Sequence, residues 1–222
     1  MPSLTLVIGN KTYSSWSLRP WLLLRHGGVP FDEVRVALYT PESRARILAH
    51  SPAGKVPVLL DGPLRIWDSL AICEYAAERF PDRCGWPAHP AARAVARSVS
   101  AEMHAGFVSL RSELPMNCRA RRSGVAPSPA ARADIDRVIA LVEACRAGFG
   151  GTGPFLFGAF SPADAFYAPV ALRFATYGVA LPPVAAAWSE AVRSLPALEA
   201  WVADARREAE VLEKFERGTE AA

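Results

Sequence analysis

The segment Tyr13-Ser14-Ser15-Trp16-Ser17-Leu18-Arg19-Pro20-Trp21 decides how the first part of this chain folds. It follows a short apolar run that begins at Leu4 and precedes an apolar segment, a pattern typical of a strand, a polar turn and a helix start. The first N–H groups of a helix lack partners within it, so hydroxyl groups placed there can cap the helix or help to hold an anion. Both roles are open for Ser14, Ser15 and Ser17, and Ser17 is the favoured cap.

The composition describes a folded protein without an extreme charge. The chain has 222 residues, 51% of them hydrophobic, and its 25 basic and 22 acidic residues give a net charge of +3. So small a charge gives no reason to expect nucleic acid or an anionic membrane as the main partner. No apolar run approaches the ~18 residues of a membrane span and no signal-peptide pattern opens the chain, so we expect a cytoplasmic protein.

The four cysteines are widely spaced along the chain. They form no C-x-x-C pair and have no histidine partner at metal-ligand spacing, so neither a zinc site nor a disulfide framework is indicated. We expect no metal, and we interpret the cysteines as small buried hydrophobic residues.

Residues 1–80 alternate strand and helix signals in the order β-α-β-α-β-β-α. Gly27-Gly28 ends the first helix, Asp61-Gly62 marks a hairpin turn, and Asp68 is the predicted cap of a helix that ends near residue 79. This order, with a parallel beginning and an antiparallel end, predicts a thioredoxin-like α/β domain.

Residues 81–90 are predicted to be an irregular linker, because prolines recur there and Gly85 interrupts. Beyond it the hydrophobic period is helical, and we predict helices at about 90–113, 128–147, 162–176, 184–193 and 196–213. Ser161-Pro162-Ala163-Asp164 is close to a capping box at the start of one of them. Strand signals are missing, so residues 91–222 are predicted to form an all-α domain.

Four stretches together resemble the cytosolic glutathione transferase superfamily: residues 14–19, 54–59, 68–75 and 161–164. The resemblance covers nearly the whole chain. It implies a thioredoxin-like domain followed by an all-helical substrate domain, glutathione as co-substrate, and a homodimer. The first stretch is most similar to the zeta class, whose motif is S-S-C-S-W-R, and Trp16 stands here in place of that cysteine.

The resemblance also implies how glutathione is activated. Its thiol has a pKa near ~8.5 when free, so catalysis needs an interaction that favours the thiolate. A serine hydroxyl hydrogen bond beside the positive end of a helix has this effect. Ser14 matches the activating serine of the family and is the favoured candidate, and Ser15 is the alternative.

The rest of glutathione needs partners for its backbone and its two carboxylates. By resemblance, the Val56 backbone beside Pro57 would pair with the cysteinyl part, as an added strand does. Asp68 and Ser69 match the pair that holds the γ-glutamyl end, although the family more often has Glu in the first of these places. Lys55 is a candidate for the glycyl carboxylate, and a solvated lysine is nearly as good an interpretation.

The electrophile is expected between Ser14 and the first long helix of the second domain. Met103, His104, Phe107 and Arg111 recur there at spacings of three and four, so they share one helical face. That face could line a cleft. The other interpretation, equally weighted, places Met103 and Phe107 in the core.

A later helix offers further candidates for the electrophile site. Tyr167 is included in the predicted site, and Arg173 and Tyr177 are secondary candidates. An arginine at this place would suit an acidic substrate, but exposure on the helix surface is the favoured interpretation of Arg173.

These expectations favour an enzyme, a glutathione S-transferase with a detoxification role that conjugates glutathione thiolate to a small electrophile. One alternative is a glutathione-dependent cis-trans isomerase of the maleylacetoacetate type. The S-S-x-S motif favours it, whereas Thr176 stands where the zeta class has a substrate arginine. Another alternative is a non-catalytic glutathione-binding regulatory protein, since a fold alone does not establish activity.

Overall fold

The computed structural model describes residues 4–221. The first part contains β1 Leu4–Ile8, α1 Ser15–His26, β2 Phe31–Arg35, α2 Ser43–Leu48, β3 Val58–Asp61, β4 Leu64–Trp67 and α3 Ser69–Arg79. The remainder contains α4 Pro81–Cys84, α5 Pro90–Ala105, α6 Val108–Glu113, β5 Arg122–Ser123, α7 Pro129–Phe149, α8 Pro162–Tyr177, α9 Pro183–Arg193, α10 Pro196–Ala205, a 3-10 turn Glu213–Phe215 and β6 Thr219–Glu220. The predicted α/β thioredoxin-like domain followed by a mostly helical one is confirmed.

The first four strands form one sheet in the order β2-β1-β3-β4. β1 pairs with β2 in parallel, and β3 runs antiparallel to both β1 and β4. Since side chains alternate between the faces of a strand, Leu6 and Ile8 enter the main core, whereas Val7 packs with Ile47 of α2 and with Val58. Both faces of β1 are therefore buried, and the strand ends beside the serine-rich turn.

Helix α8 is the centre of the second domain, and nearly every one of its residues is buried. It packs against α1, α5 and α9, so the main core continues from the sheet into the helices. The predicted capping box at its start is confirmed, because the Asp164 carboxylate accepts the Ser161 N–H at 3.0 Å and the Ser161 side chain completes the pair. Asp164 also accepts from Leu156 N–H at 2.9 Å and from Trp188 Nε1 at 3.1 Å.

Two predicted helical segments are interrupted or shortened in the structure. The helix expected over 90–113 is broken, because α5 ends at Ala105 and Phe107 takes a left-handed backbone with φ of 57°. A Cβ at position 106 would lie 2.9 Å from the Glu102 carbonyl oxygen, so Gly106 permits this exit. The last predicted helix stops at Ala205 rather than near residue 213.

Two further predictions of irregular or purely helical structure are corrected. Pro81–Cys84 forms a helical turn within the segment predicted to be an irregular linker, because a proline is compatible with the first position of a helix. β5 and β6 pair as a two-residue antiparallel ladder in the part predicted to be all-α. This pairing joins residues that are nearly a hundred positions apart, which local strand signals do not report. No helix within residues 4–221 is long and apolar enough to cross a membrane.

Candidate functional site

A cleft of about 870 Å³ is lined by residues from both domains. It includes nine of the predicted site residues: Ser14, Ser15, Lys55, Val56, Pro57, Asp68, Ser69, His104 and Arg111. They come from the start of α1, the loop before β3, the start of α3 and the α5–α6 region. The thioredoxin-like topology brings the first three of these segments together, since each lies at an end of the same small sheet.

The hydroxyl groups at the start of α1 have separate partners. Ser14 Oγ donates to Ser17 Oγ at 2.8 Å, and Ser17 Oγ also accepts from the Gly9 N–H at 3.1 Å. Ser17 therefore joins α1 to the end of β1. The prediction that Ser17 caps the helix is wrong, because Ser14 is the residue at the cap position and its side chain makes no capping hydrogen bond.

Ser15 contacts a buried arginine of α8. Arg173 Nη2 donates to Ser15 Oγ at 3.3 Å, and Arg173 Nε donates to the Leu114 carbonyl oxygen at 2.9 Å. Arg173 is only 4% exposed and lines the cleft, so the expectation that it lies on the helix surface is wrong. The signal for burial is its position in a helix that is apolar on nearly every side.

Three arginines bring positive charge to this end of the cleft. The Arg19 guanidinium lies 4.1 Å from the centre of the Trp16 ring, and Arg111 lies 5.3 Å from the same ring. Burial, together with the neighbouring guanidinium groups, lowers the pKa of Arg19 to about 9 and that of Arg173 to about 10, so both stay cationic at neutral pH. Within the described residues these arginines donate only to hydroxyl and carbonyl oxygens.

Asp68 connects the two domains at the start of α3. Its φ is 75°, a backbone conformation that is rare outside glycine, and its side chain accepts the Leu70 N–H at 2.8 Å. The other carboxylate oxygen lies 3.3 Å from His104 Nε2. Burial lowers the pKa of His104, so the imidazole is neutral at neutral pH. Ser69 is buried beside Asp68 and accepts from Arg19 Nη1 at 3.4 Å.

The loop before β3 supplies a further wall of the cleft. The Val56–Pro57 peptide bond is cis, and both residues line the cleft. Lys55 is exposed at its edge.

The structure separates the predicted electrophile residues into two groups. His104 and Arg111 line the cleft, whereas Met103, Phe107 and Tyr167 do not. Met103 and Phe107 are buried in the main core, and the Tyr167 hydroxyl donates to the Val99 carbonyl oxygen at 3.0 Å. The break at Gly106 takes Phe107 out of the face of α5, because α6 does not continue that face. Met103 on α5 and Tyr167 on α8 are instead enclosed by the main core.

The C-terminal segment, defined here as residues 206–221, forms a part of the site that the sequence did not predict. Phe215 lines the cleft and stacks on Tyr13 with 5.5 Å between ring centres. Glu208 accepts the backbone N–H groups of Lys11 at 2.6 Å and Thr12 at 2.9 Å. The sequence offered one indication of this contact, because Phe215 is an isolated aromatic residue within a charged segment.

No group of three or more His, Cys, Asp or Glu residues within 4–221 is placed to hold a metal ion. The cysteines are free and buried, as predicted: Cys73, Cys84, Cys118 and Cys145. Burial raises the pKa of each thiol, which disfavours the reactive thiolate form.

Two protein-family models match this sequence. The model described as "Glutathione S-transferase, N-terminal domain" matches residues 13–79, and "Glutathione S-transferase, C-terminal domain" matches residues 91–204. A probable maleylacetoacetate isomerase of Caenorhabditis elegans is 35% identical over 99 residues, which cover 44% of this chain and 45% of that protein. Glutathione S-transferase F10 of Arabidopsis thaliana is 42% identical over 74 residues, covering 31% of this chain and 34% of its own length. The chain thus aligns with less than half of either relative.

Solved structures share the fold over almost the full length. A theta-class glutathione S-transferase of Xanthomonas axonopodis pv. citri with glutathione bound is 25% identical, with a TM-score of 0.64 over 91% of this chain and 98% of that one. A Burkholderia glutathione transferase homologue with bound glutathione is 23% identical, with a TM-score of 0.69 over 94% and 100% of the two chains.

Proposed function

Because this chain belongs to the glutathione S-transferase family, we propose that it is an enzyme that binds glutathione as a thiolate and conjugates it to a small electrophile. The observation that carries this proposal is the convergence of Ser14, Ser15, Val56 and Ser69 on one cleft from three separate segments. Each of the three segments supplies a different group that glutathione requires: hydroxyl donors at the start of α1, a backbone edge at Val56 and a helix start at Ser69.

The thiol end of glutathione would lie at the start of α1. Its sulfur there meets serine hydroxyls, the positive end of a twelve-residue helix and the charge of Arg173. These interactions favour the thiolate over the thiol, and the released proton passes to water. The sulfur lone pair then forms the C–S bond, and the leaving group departs with the electron pair of the bond that breaks.

The other end of glutathione would extend along the first domain. The Val56 backbone pairs with the cysteinyl residue in the manner of an added strand. Asp68 and the start of α3 at Ser69 suit the ammonium and carboxylate of the γ-glutamyl end. Lys55 at the cleft edge would meet the glycyl carboxylate, with solvent as its other partner.

The electrophile would occupy the side of the cleft formed by Trp16, His104, Arg111 and Phe215. This side combines two aromatic rings with a guanidinium group, so it accommodates a flat or aromatic substrate that carries partial negative charge. Met103, Phe107 and Tyr167 support this wall from the core rather than contacting the substrate. Under this proposal the enzyme acts as a homodimer in the cytoplasm, and light scattering of the purified protein tests the dimer.

A second candidate function is a glutathione-dependent cis-trans isomerase. The C. elegans relative is named a probable maleylacetoacetate isomerase. Arg111 and Arg173 in the cleft suit a substrate carboxylate, and they remove the objection raised by Thr176, whose hydroxyl donates to the Asn117 carbonyl oxygen at 3.0 Å. Arginine forms strong charge-assisted hydrogen bonds with carboxylates.

One set of assays tests these functions. Calorimetry should detect glutathione binding, and a halogenated dinitrobenzene should be converted to its glutathione conjugate. If the protein turns over maleylacetone with glutathione but does not convert the halogenated aromatic, the isomerase proposal is supported and the transferase proposal is refuted. Binding without turnover of either substrate would support the non-catalytic alternative, and absence of glutathione binding would refute all three.

A further inference from the structure

We propose that Arg173 is a positioning residue that orients Ser15, so that the Ser15 hydroxyl rather than that of Ser14 donates to the glutathione sulfur. This inference rests on the proposed function, because it requires glutathione to bind as a thiolate. It reverses the preference for Ser14 that the family resemblance implies.

The first step is the chemistry of the Arg173 contact. A guanidinium group carries only hydrogen-bond donors, so Ser15 Oγ must be the acceptor of the 3.3 Å contact with Arg173 Nη2. The hydrogen of the Ser15 hydroxyl is then free for a different acceptor. Within residues 4–221 it has none, and Ser15 lines the cleft. A thiolate sulfur in the cleft would be that acceptor.

The second step is the different state of Ser14. Its hydroxyl already donates to Ser17 Oγ at 2.8 Å, and Ser17 Oγ is fixed by the Gly9 N–H. All three residues are buried or nearly so, and donation from Ser14 to sulfur would break an existing buried hydrogen bond. Ser15 has no such bond to break, so it is the better donor.

The third step is that Arg173 is held in place independently of Ser15. Its Nε donates to the Leu114 carbonyl oxygen at 2.9 Å, and its helix α8 is the most enclosed element of the second domain. The Nε bond and the close packing around α8 hold the guanidinium group without help from Ser15. Arg173 therefore presents its charge to Ser15 in one orientation, which strengthens the Ser15 hydroxyl as a donor and stabilises a nearby anion.

Other titratable groups also face this end of the cleft. They are Tyr13, whose hydroxyl donates to Glu216, the pair Asp68 and His104, and the guanidinium group of Arg111. Arg19 is buried behind this surface, against Trp16 and Ser69. In the part of the chain that the structure describes, none of these groups hydrogen-bonds to Ser14, Ser15 or Ser17, whereas Arg173 does so to Ser15. The test must therefore separate the effect through Ser15 from the general charge of the cleft.

A purely structural role for Arg173 is the main competing explanation, and the chain offers a matched control. Tyr177, on the same helix, donates from its hydroxyl to the Pro115 carbonyl oxygen at 2.9 Å. It therefore supports the same segment that Arg173 supports through Leu114, but it does not contact Ser15. Tyr177→Phe removes an equivalent anchor without changing the environment of the serine.

The experiment is a pH titration of the ultraviolet thiolate absorbance of bound glutathione in the full-length protein and its variants. Ser15→Ala and Arg173→Met should each raise the apparent pKa of the bound thiol by about one pH unit or more. Ser14→Ala and Tyr177→Phe should change it much less. Arg173→Lys, which retains a positive charge and a donor, should restore part of the effect.

A double-mutant comparison separates positioning from direct charge stabilisation. If Arg173 acts through Ser15, Arg173→Met should shift the thiol pKa far less in a Ser15→Ala background than in the unmutated protein. Equal shifts in the two backgrounds would overturn the positioning role. If Arg173→Met fails to fold by circular dichroism, Arg173→Lys in both backgrounds provides the same comparison.

The outcomes also distinguish this inference from the proposed function. Loss of the thiolate in Ser14→Ala with retention in Ser15→Ala would overturn the inference and leave the transferase proposal intact. A complete absence of thiolate in the unmutated protein would overturn both. Conjugation activity in the unmutated protein, together with the expected order of thiol pKa values among the variants, supports both the proposed function and this inference.

Discussion

The Tyr13 hydroxyl donates a 2.6 Å hydrogen bond to the Glu216 carboxylate, and this bond connects positions 203 residues apart. Burial and the Glu216 carboxylate raise the pKa of Tyr13, and its hydroxyl hydrogen is already engaged. Asn117 Nδ2 donates to both Glu216 oxygens at 3.0 Å, and Arg122 forms an ion pair with the same carboxylate. Tyr13 is therefore unavailable to the sulfur, and the C-terminal segment is fixed as a wall of the cleft.

Replacing Glu216 by alanine should release the C-terminal segment. Tyr13, Asn117 and Arg122 would lose a shared acceptor, at a cost of about 1–3 kcal/mol in the free energy of unfolding. Hydrogen exchange should increase in residues 206–221, and KM for an aromatic electrophile should rise because Phe215 is no longer held. Glu213→Ala, an exposed residue of the same segment, is the control. Equal hydrogen exchange in both variants would refute the claim that Glu216 holds the C-terminal segment against the cleft.

Replacing Asp164 by alanine should destabilise the whole fold. Leu156 N–H, Ser161 N–H and Trp188 Nε1 would each lose a buried acceptor. Unsatisfied buried donors and a lost helix cap together cost about 3 kcal/mol or more. Urea denaturation measures this loss, and Asp136→Ala, at an exposed position of α7, should change the midpoint little. A similar midpoint for both variants would contradict the prediction.

Substitutions of Asp68 should separate the effect of its backbone conformation from the roles of its side chain in capping and glutathione binding. With φ at 75°, alanine is strained at this position and glycine is not, so Asp68→Gly should be more stable than Asp68→Ala by about 1 kcal/mol. Both variants lose the side chain proposed for the γ-glutamyl end, so calorimetry should show weaker glutathione binding in both. Unchanged binding in Asp68→Gly would remove Asp68 from the site.

The contribution of His104 to the stability of the protein should fall as the pH decreases below about 6.5, the pKa of an unperturbed histidine. Burial lowers the pKa of His104 in the folded protein, so the unfolded chain binds more protons in this range. Protonation of this histidine then favours unfolding, and its contribution to stability is regained as the pH rises through that window. Urea midpoints measured between pH 7.5 and pH 5 should decline less in His104→Gln than in the unmutated protein. An identical decline in both proteins would exclude His104 as a contributor.

The local pattern of the sequence was sufficient to predict the strands and helices of the first domain. Strand alternation, the Asp61-Gly62 turn and the cap at Asp68 are decided by neighbours along the chain, and the sheet follows from them. The convergence of Ser15, Val56 and Ser69 could be expected because the family resemblance carries the three-dimensional arrangement. The sequence did not reveal that Ser14 and Ser17 pair with each other, because that choice depends on the Gly9 N–H across the turn.

The second domain was less predictable because its decisive contacts are not local. The hydrophobic period continues through Phe107, Leu110 and Leu114, all buried, so periodicity alone gives no indication that the helix breaks at Gly106. Phe215 reaches the cleft only because the C-terminal segment returns to the first domain through Glu208 and Glu216.

The measurement that tests the central claim most directly is the apparent pKa of the glutathione thiol bound to the unmutated protein. It is read from the thiolate absorbance as a function of pH, and S-methylglutathione serves as a control that cannot ionise at sulfur. The account predicts a pKa at least about one unit below the ~8.5 of the free thiol. A bound thiol with an unchanged or higher pKa would contradict it.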